Sequence, residues 1–219
     1  MVTVGIDMGD FVSLYPRLYH MAHRASWTSI AKHGLLSTAA LLDLFEIFGE
    51  ERNRLESCHR PEYVRIEHGR NGEAWIRDQK PMSDKGLSRA LVGNLTPSDW
   101  YRTLNGYVFF WTSLERLERL LCARAYRNDE HLILQLDTAQ LANEHWKDIS
   151  LCPINSGCTV PVPHERGRHS FLHPDEYPFE EWRLRRGVKE AVVEVAVARG
   201  VPRVRDFVIS RELRRGRCE

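Results

Sequence analysis

The segment Ala191-Val192-Val193-Glu194-Val195-Ala196-Val197 constrains the fold of this chain more than any other. β-Branched side chains favour extended backbone, and a nearly unbroken apolar run suits a strand covered on both faces. Side chains alternate along a strand. Ala191, Val193, Val195 and Val197 then share one face, and Glu190, Val192, Glu194 and Ala196 the other. On this pattern Glu194 interrupts a core strand near its middle. An unpaired buried carboxylate costs several kcal/mol. Glu194 therefore needs either an arginine in a structural ion pair or a place at the edge of a pocket, where it would serve as a catalytic carboxylate.

Arginine is abundant enough for the first option. Of 31 basic residues only Lys32, Lys80, Lys85, Lys147 and Lys189 are lysine. Arginine binds phosphate and carboxylate as a planar fork, although genomic base bias would produce the same excess. A formal charge of +1 excludes a uniformly basic surface but not a local patch. One candidate patch is the basic C-terminal tail from Arg183, which either touches nucleic acid or is a solvated end.

Length and composition suit one folded domain over residues 1–219, with its core at about 15–210. No run approaches the ~20 apolar residues of a membrane span, so no membrane partner is expected. Met1 to Asp10 lacks a basic n-region and carries two acids, so no secretory signal is expected. The five cysteines form no CxxC pair, which suits a reduced cytoplasmic protein. Cys152 and Cys158, with His164 and His169 nearby, make the best metal candidate. Reduced loop cysteines explain them better, and no metal is expected.

Helix and strand patterns interleave irregularly, which predicts an α+β fold. Strands are expected at Leu18–His23, Tyr63–Ile66, Ala74–Arg77, Tyr107–Trp111, His131–Leu136, Ala191–Val197 and Val204–Ser210. Helices are expected after caps at Ser26, Ser37 or Thr38, Thr96 and Ser113, and over Ser83–Leu91. The second of these would run through Phe48. Residues 153–178 lack periodicity and read as a long functional loop. In that loop Arg166, Arg168 and His169 suit phosphate contacts, and Phe171 and Tyr177 are its only rings for base stacking.

Several further residues are candidates for a site. His20 lies inside an apolar strand, as a satisfied core residue or a ligand-binding group. Asn105, Thr112 and Ser113 flank the Tyr107–Trp111 strand, and Ser113 is equally a plain helix cap. Arg77 ends a strand, where it either binds an anion or is solvated. The chain has no Walker loop, GxGxxG, HExxH or GxSxG motif.

Taken in order, three pieces carry a resemblance. Leu18-Tyr19-His20-Met21-Ala22-His23 with Ile30-Ala31-Lys32-His33-Gly34-Leu35 resembles the opening of ADP-ribosyltransferase-fold proteins, where a strand ending in "YH" leads to a helix and an "HGL" turn. Tyr107-Val108-Phe109-Phe110-Trp111 is similar to the central "YVPFYF" strand of the DarT-like branch, whose members ADP-ribosylate DNA, but lacks its proline. Val193-Glu194-Val195-Ala196-Val197 with Gly200-Val201-Pro202 is similar to that branch's closing strand, which carries the catalytic glutamate. An uncharacterised bacterial family related to that branch shares the pattern.

The resemblance implies a split β-sheet core of two small packed sheets with flanking helices. It implies NAD as co-substrate, Glu194 and Arg77 as catalytic residues, and His20 on the adenosine-side ribose. Tyr19, Trp111, Thr112, Ser113 and Asn105 would complete the NAD site, with Trp111, Thr112 or Ser113 at the nicotinamide end. The implied activity is ADP-ribosylation of DNA or RNA, otherwise protein, by a toxin or defence effector with an antitoxin or immunity partner. A catalytically inactive nucleotide- or partner-binding module is the alternative.

Overall fold

A computed structural model of the chain describes residues 5–160 and 163–216. Residues 1–4, 161–162 and 217–219, which include Pro161, Val162 and Cys218, lie outside the described residues. Helix α1 (Met8–Leu14) leads to β1 (Arg17–His23), α2 (Trp27–His33), β2 (Leu35–Leu36), α3 (Thr38–Leu44) and α4 (Gly49–Ser57). The hairpin β3 (Val64–His68) and β4 (Gly72–Ile76) follows, then α5 (Asp84–Ala90), α6 (Pro97–Asn105), β5 (Tyr107–Trp111) and α7 (Leu114–Leu121). The rest comprises β6 (His131–Asp137), α8 (Thr138–His145), β7 (Ile149–Cys152), α9 (Phe179–Arg186), α10 (Val188–Ala191), β8 (Glu194–Ala198), β9 (Gly200–Val201), α11 (Val204–Phe207) and β10 (Val208–Arg214).

Local chemistry sets many of these boundaries. Thr96 and Asp99 form a reciprocal capping box before Pro97 at the first turn of α6. Ser37, Ser83 and Ser113 each accept a backbone N–H at the start of a helix. Ser26 precedes α2 without a side-chain cap bond. Helix α3 stops at Leu44 rather than Phe48, because Glu46 takes a left-handed φ of 54° and Phe48 instead introduces α4.

The last third differs most from its sequence pattern. Val188–Ala191 forms a helical turn, so β8 begins at Glu194, and this acid sits at the strand's start rather than its middle. Val204–Phe207 is also helical; Val204 and Phe207, three apart, both point into the core, and Arg203 pairs with Asp206. The basic stretch from Arg183 is folded rather than a tail. Arg183 pairs with Glu180 and Arg185 with Glu181 within α9, and Arg214 of β10 pairs with Glu118 of α7.

All pairs in the main sheet are antiparallel, in the order β10-β6-β1-β5-β8-β7. Its two halves share little strand register. Strands β1 and β6 align from Arg17↔Asp137 to His23↔His131, and β5 and β8 from Tyr107↔Ala198 to Trp111↔Glu194. Between β1 and β5 the register gives only Tyr19↔Trp111. The expected pair of small packed sheets is thus one six-stranded sheet that parts between its third and fourth strands, accompanied by two two-stranded sheets. One of those joins β2 to β9, bringing the His33-Gly34-Leu35 and Gly200-Val201-Pro202 segments together. Gly34 (φ 87°) is required there, because a Cβ would lie 2.5 Å from the Pro202 backbone.

The main core is built from Leu18, Phe110, Leu134, Leu136, Val195 and Val197, all fully buried. Burying each such side chain stabilises the fold by about 1.5–3 kcal/mol, which anchors the strands on both sides of the parting.

Candidate functional site

Where β1 and β5 part, a cleft of about 210 Å³ opens. An apolar cavity of about 150 Å³ is enough to take up benzene, so the enclosed part of this cleft accommodates a single ring. The cleft is lined by Trp111, Phe109, Asn155, Ser156, Gly157 and Glu194 and by Trp75, Ser26, Ser29 and Gly34–Thr38. His20, Arg60, Arg77, Asp78 and Asn105 also line it.

Strand pairing sets Glu194 opposite Trp111 on one side and Cys152 on the other. It is only 3% exposed. Its Oε2 accepts the Ser156 backbone N–H at 3.0 Å. Among the described residues no cation lies within ion-pair distance of it; the nearby Arg116 is paired with Glu190 instead. Burial raises the Glu194 pKa, opposed by the Ser156 hydrogen bonds and by the charges of Arg116 and Arg166. Of the two options posed by the sequence, the geometry therefore favours a cleft-lining acid over a structural ion pair.

His20 bridges the parting: its Nδ1 lies 2.8 Å from the Phe109 carbonyl oxygen. A carbonyl only accepts, so Nδ1 carries the proton and the neutral ring keeps a lone pair on Nε2. Burial pushes the His20 pKa down to about 4, with Arg77 adding repulsion and the Phe109 bond opposing both. His20 is therefore a neutral acceptor at physiological pH.

Arg77 is tightly held. Its guanidinium donates to the Met21 carbonyl at 2.9 Å and lies 5.6 Å from both the Trp111 and Tyr126 ring centroids. Tyr126 Oη donates to Asp78 Oδ1 at 2.6 Å. Arg60 was not singled out from the sequence. It is 6% exposed, donates to Leu55 O, Arg77 O and Asn105 Oδ1, and has no carboxylate within ion-pair distance among the described residues. Burial lowers its pKa to about 10, opposed by the Asp78 charge. Nothing in its neighbourhood, His59-Arg60-Pro61, distinguishes it from the other arginines; only the fold brings it to the cleft.

The structure brings together five of the residues singled out from the sequence: His20, Arg77, Asn105, Trp111 and Glu194. Asn105 is largely committed, since its Oδ1 accepts from Arg60 and its Nδ2 donates to Glu56 O. Tyr19, Thr112 and Ser113 are not among the cleft-lining residues. Tyr19 packs beside the Trp111–Leu117–Leu121 cluster, Thr112 Oγ1 donates to Val192 O at 2.7 Å, and Ser113 caps α7.

The long loop also departs from its sequence reading. Arg166 is fully buried and so cannot reach an acceptor, whereas Arg168 and His169 are exposed. Phe171 stacks on Trp100 and Tyr107, and Tyr177 is buried with its hydroxyl on Ala191 O; neither ring is free for a base. The Cys152 and Cys158 thiols contact the Ile154 and Val160 carbonyls. Among the described residues no group of three His, Cys, Asp or Glu side chains could hold a metal ion. Nor is any helix of the described residues long and apolar enough to cross a membrane.

The chain belongs to a family of unknown function, DUF7002, whose model matches residues 16–208. That span holds every cleft-lining residue named above. No curated protein matches the chain.

Proposed function

We propose that this protein is an NAD-dependent ADP-ribosyltransferase with Glu194 as its catalytic carboxylate. The observation that carries this reading is the placement of Glu194, buried and free of an ion pair among the described residues, in one cleft with a neutral His20 where the sheet parts. The nicotinamide ring would lie beside Trp111, and His20 Nε2 would accept from a ribose hydroxyl. Arg60 and Arg77 would balance the diphosphate charge.

Cleavage of the nicotinamide–ribose bond leaves the bonding pair on nicotinamide and an oxocarbenium-like cation on the ribose. Glu194, fixed in a site largely shielded from water, would stabilise that cation. A lone pair of the acceptor then forms the new bond, and the acceptor's proton passes to Glu194 or to water. The acceptor would be DNA or RNA, otherwise protein, consistent with a cytoplasmic toxin or defence effector held by an antitoxin or immunity partner. The commitment of Arg166, Phe171 and Tyr177 to the interior removes three nucleic-acid contacts expected of the loop.

Incubation of the purified protein with NAD, with and without DNA, RNA or lysate, tests this reading. Nicotinamide release that disappears in Glu194→Gln is expected. A second reading, an inactive nucleotide-binding module, draws on the near-complete burial of Glu194. Binding of NAD by calorimetry without any nicotinamide release would favour it.

A further inference from the structure

Arg166 is a fully buried arginine with no acidic partner within ion-pair distance among the described residues. Burial of an ionised side chain costs several kcal/mol unless its donors are satisfied. Three backbone carbonyls satisfy them: Nε donates to His164 O at 3.0 Å, one terminal nitrogen to Ser156 O at 3.0 Å and the other to Cys158 O at 2.9 Å. The Trp100 ring covers the guanidinium at 5.8 Å, and Trp100 Nε1 also donates to Ser156 O. Arg166 is itself fixed by backbone bonds to Ala90 and Val92. Two anchored donors therefore pin the carbonyl of Ser156, the residue whose N–H holds Glu194.

We propose that Arg166 is a positioning residue for Glu194, acting through Ser156. It holds the backbone at Ser156 and Cys158 in place beside the cleft, so that the Ser156 N–H fixes one carboxylate oxygen. This role rests on the reading of Glu194 as the catalytic acid. A loop satisfied only by water would leave the carboxylate free to rotate away from the ribose. A misplacement of about 1 Å commonly costs about 100-fold in rate. The other titratable or charged groups around Glu194 are Arg116 from α7, Cys152 from β7, Glu190 through its pair with Arg116, and His20 and Arg77 across the cleft.

Arg166→Met, Arg166→Lys and Trp100→Phe test the role, with folding checked by circular dichroism. Two readouts are used: the titration of the Glu194 carboxyl by ¹³C NMR, and kcat and KM for nicotinamide release. In Arg166→Met the Glu194 titration should move to higher pH, because the Ser156 N–H is no longer held against the carboxylate and a nearby positive charge is also gone. Its kcat should fall about 100-fold with KM for NAD within about twofold, and lysine should restore part of both. Should the methionine variant not fold, the lysine and Trp100→Phe variants carry the same test, with smaller shifts in the same direction. An unmoved Glu194 titration in folded variants would overturn the role, whatever the activity. If the titration moves in Trp100→Phe, which changes no charge, but Glu194→Gln still releases nicotinamide, the transferase reading fails while the Arg166–Ser156–Glu194 connection stands.

Discussion

Replacing His20 by asparagine separates what its burial does to the fold from what its ring does for a ligand. Asparagine Nδ2 can donate to Phe109 O as histidine Nδ1 does, but asparagine does not titrate. In the folded protein His20 takes up a proton only at about pH 4, against its ordinary 6.5. Between those values the unfolded chain binds more protons than the folded one, so stability rises with pH through the window and is lost as pH falls. The whole window amounts to about 3 kcal/mol, and the part between about pH 7.5 and about pH 5 to about 2 kcal/mol. Urea denaturation of both proteins at the two pH values measures it. Wild type should lose about 2 kcal/mol more than His20→Asn on acidification. Other histidines with lowered pKa, such as His23 and His131, remain in both proteins and cancel in the comparison. Parallel losses in the two proteins would refute a His20 held neutral in the fold. At neutral pH the same variant, lacking Nε2, should bind NAD more weakly by calorimetry; unchanged affinity would remove His20 from the ribose site.

Two further substitutions probe the walls of the cleft. Tyr126→Phe removes the 2.6 Å hydrogen bond to buried Asp78, whose Oδ2 already lacks a partner among the described residues. It should cost about 1–3 kcal/mol in chemical denaturation; a cost below about 0.5 kcal/mol would mean that water or Tyr63 compensates. Gly200→Ala places a Cβ 2.6 Å from Leu35 O at a φ of 138°. It should destabilise by at least about 1–3 kcal/mol and shift β2, which lines the cleft, and an unchanged melting temperature would contradict that close approach.

Much of the framework was legible because its signals are local. The Thr96–Pro97 start, the Ser113 cap, the β3–β4 hairpin and the alternating or apolar strands each follow from a few adjacent residues. The last third misled because the valine run ignores what precedes it: Gly187, at a φ of 78°, leads into a helical turn that absorbs Ala191. Glu194 was legible as an acid in apolar surroundings, and His20 as a polar residue in an apolar strand. Arg60 and Arg166 were not legible as buried residues, since their partners, backbone carbonyls and for Arg60 also Asn105 Oδ1, are brought together only by the fold. Thr112 and Ser113 follow Trp111 directly, but the chain turns there into α7 and takes them out of the cleft.

Nicotinamide release from NAD, compared between wild type and Glu194→Gln, tests the central claim most directly. Glutamine keeps the shape and can still accept the Ser156 N–H, while removing a carboxylate whose pKa burial has raised. The account predicts steady release by wild type, none above background by the variant, near-equal NAD affinity, and a melting temperature at or above that of wild type. Equal release by the two proteins would contradict it.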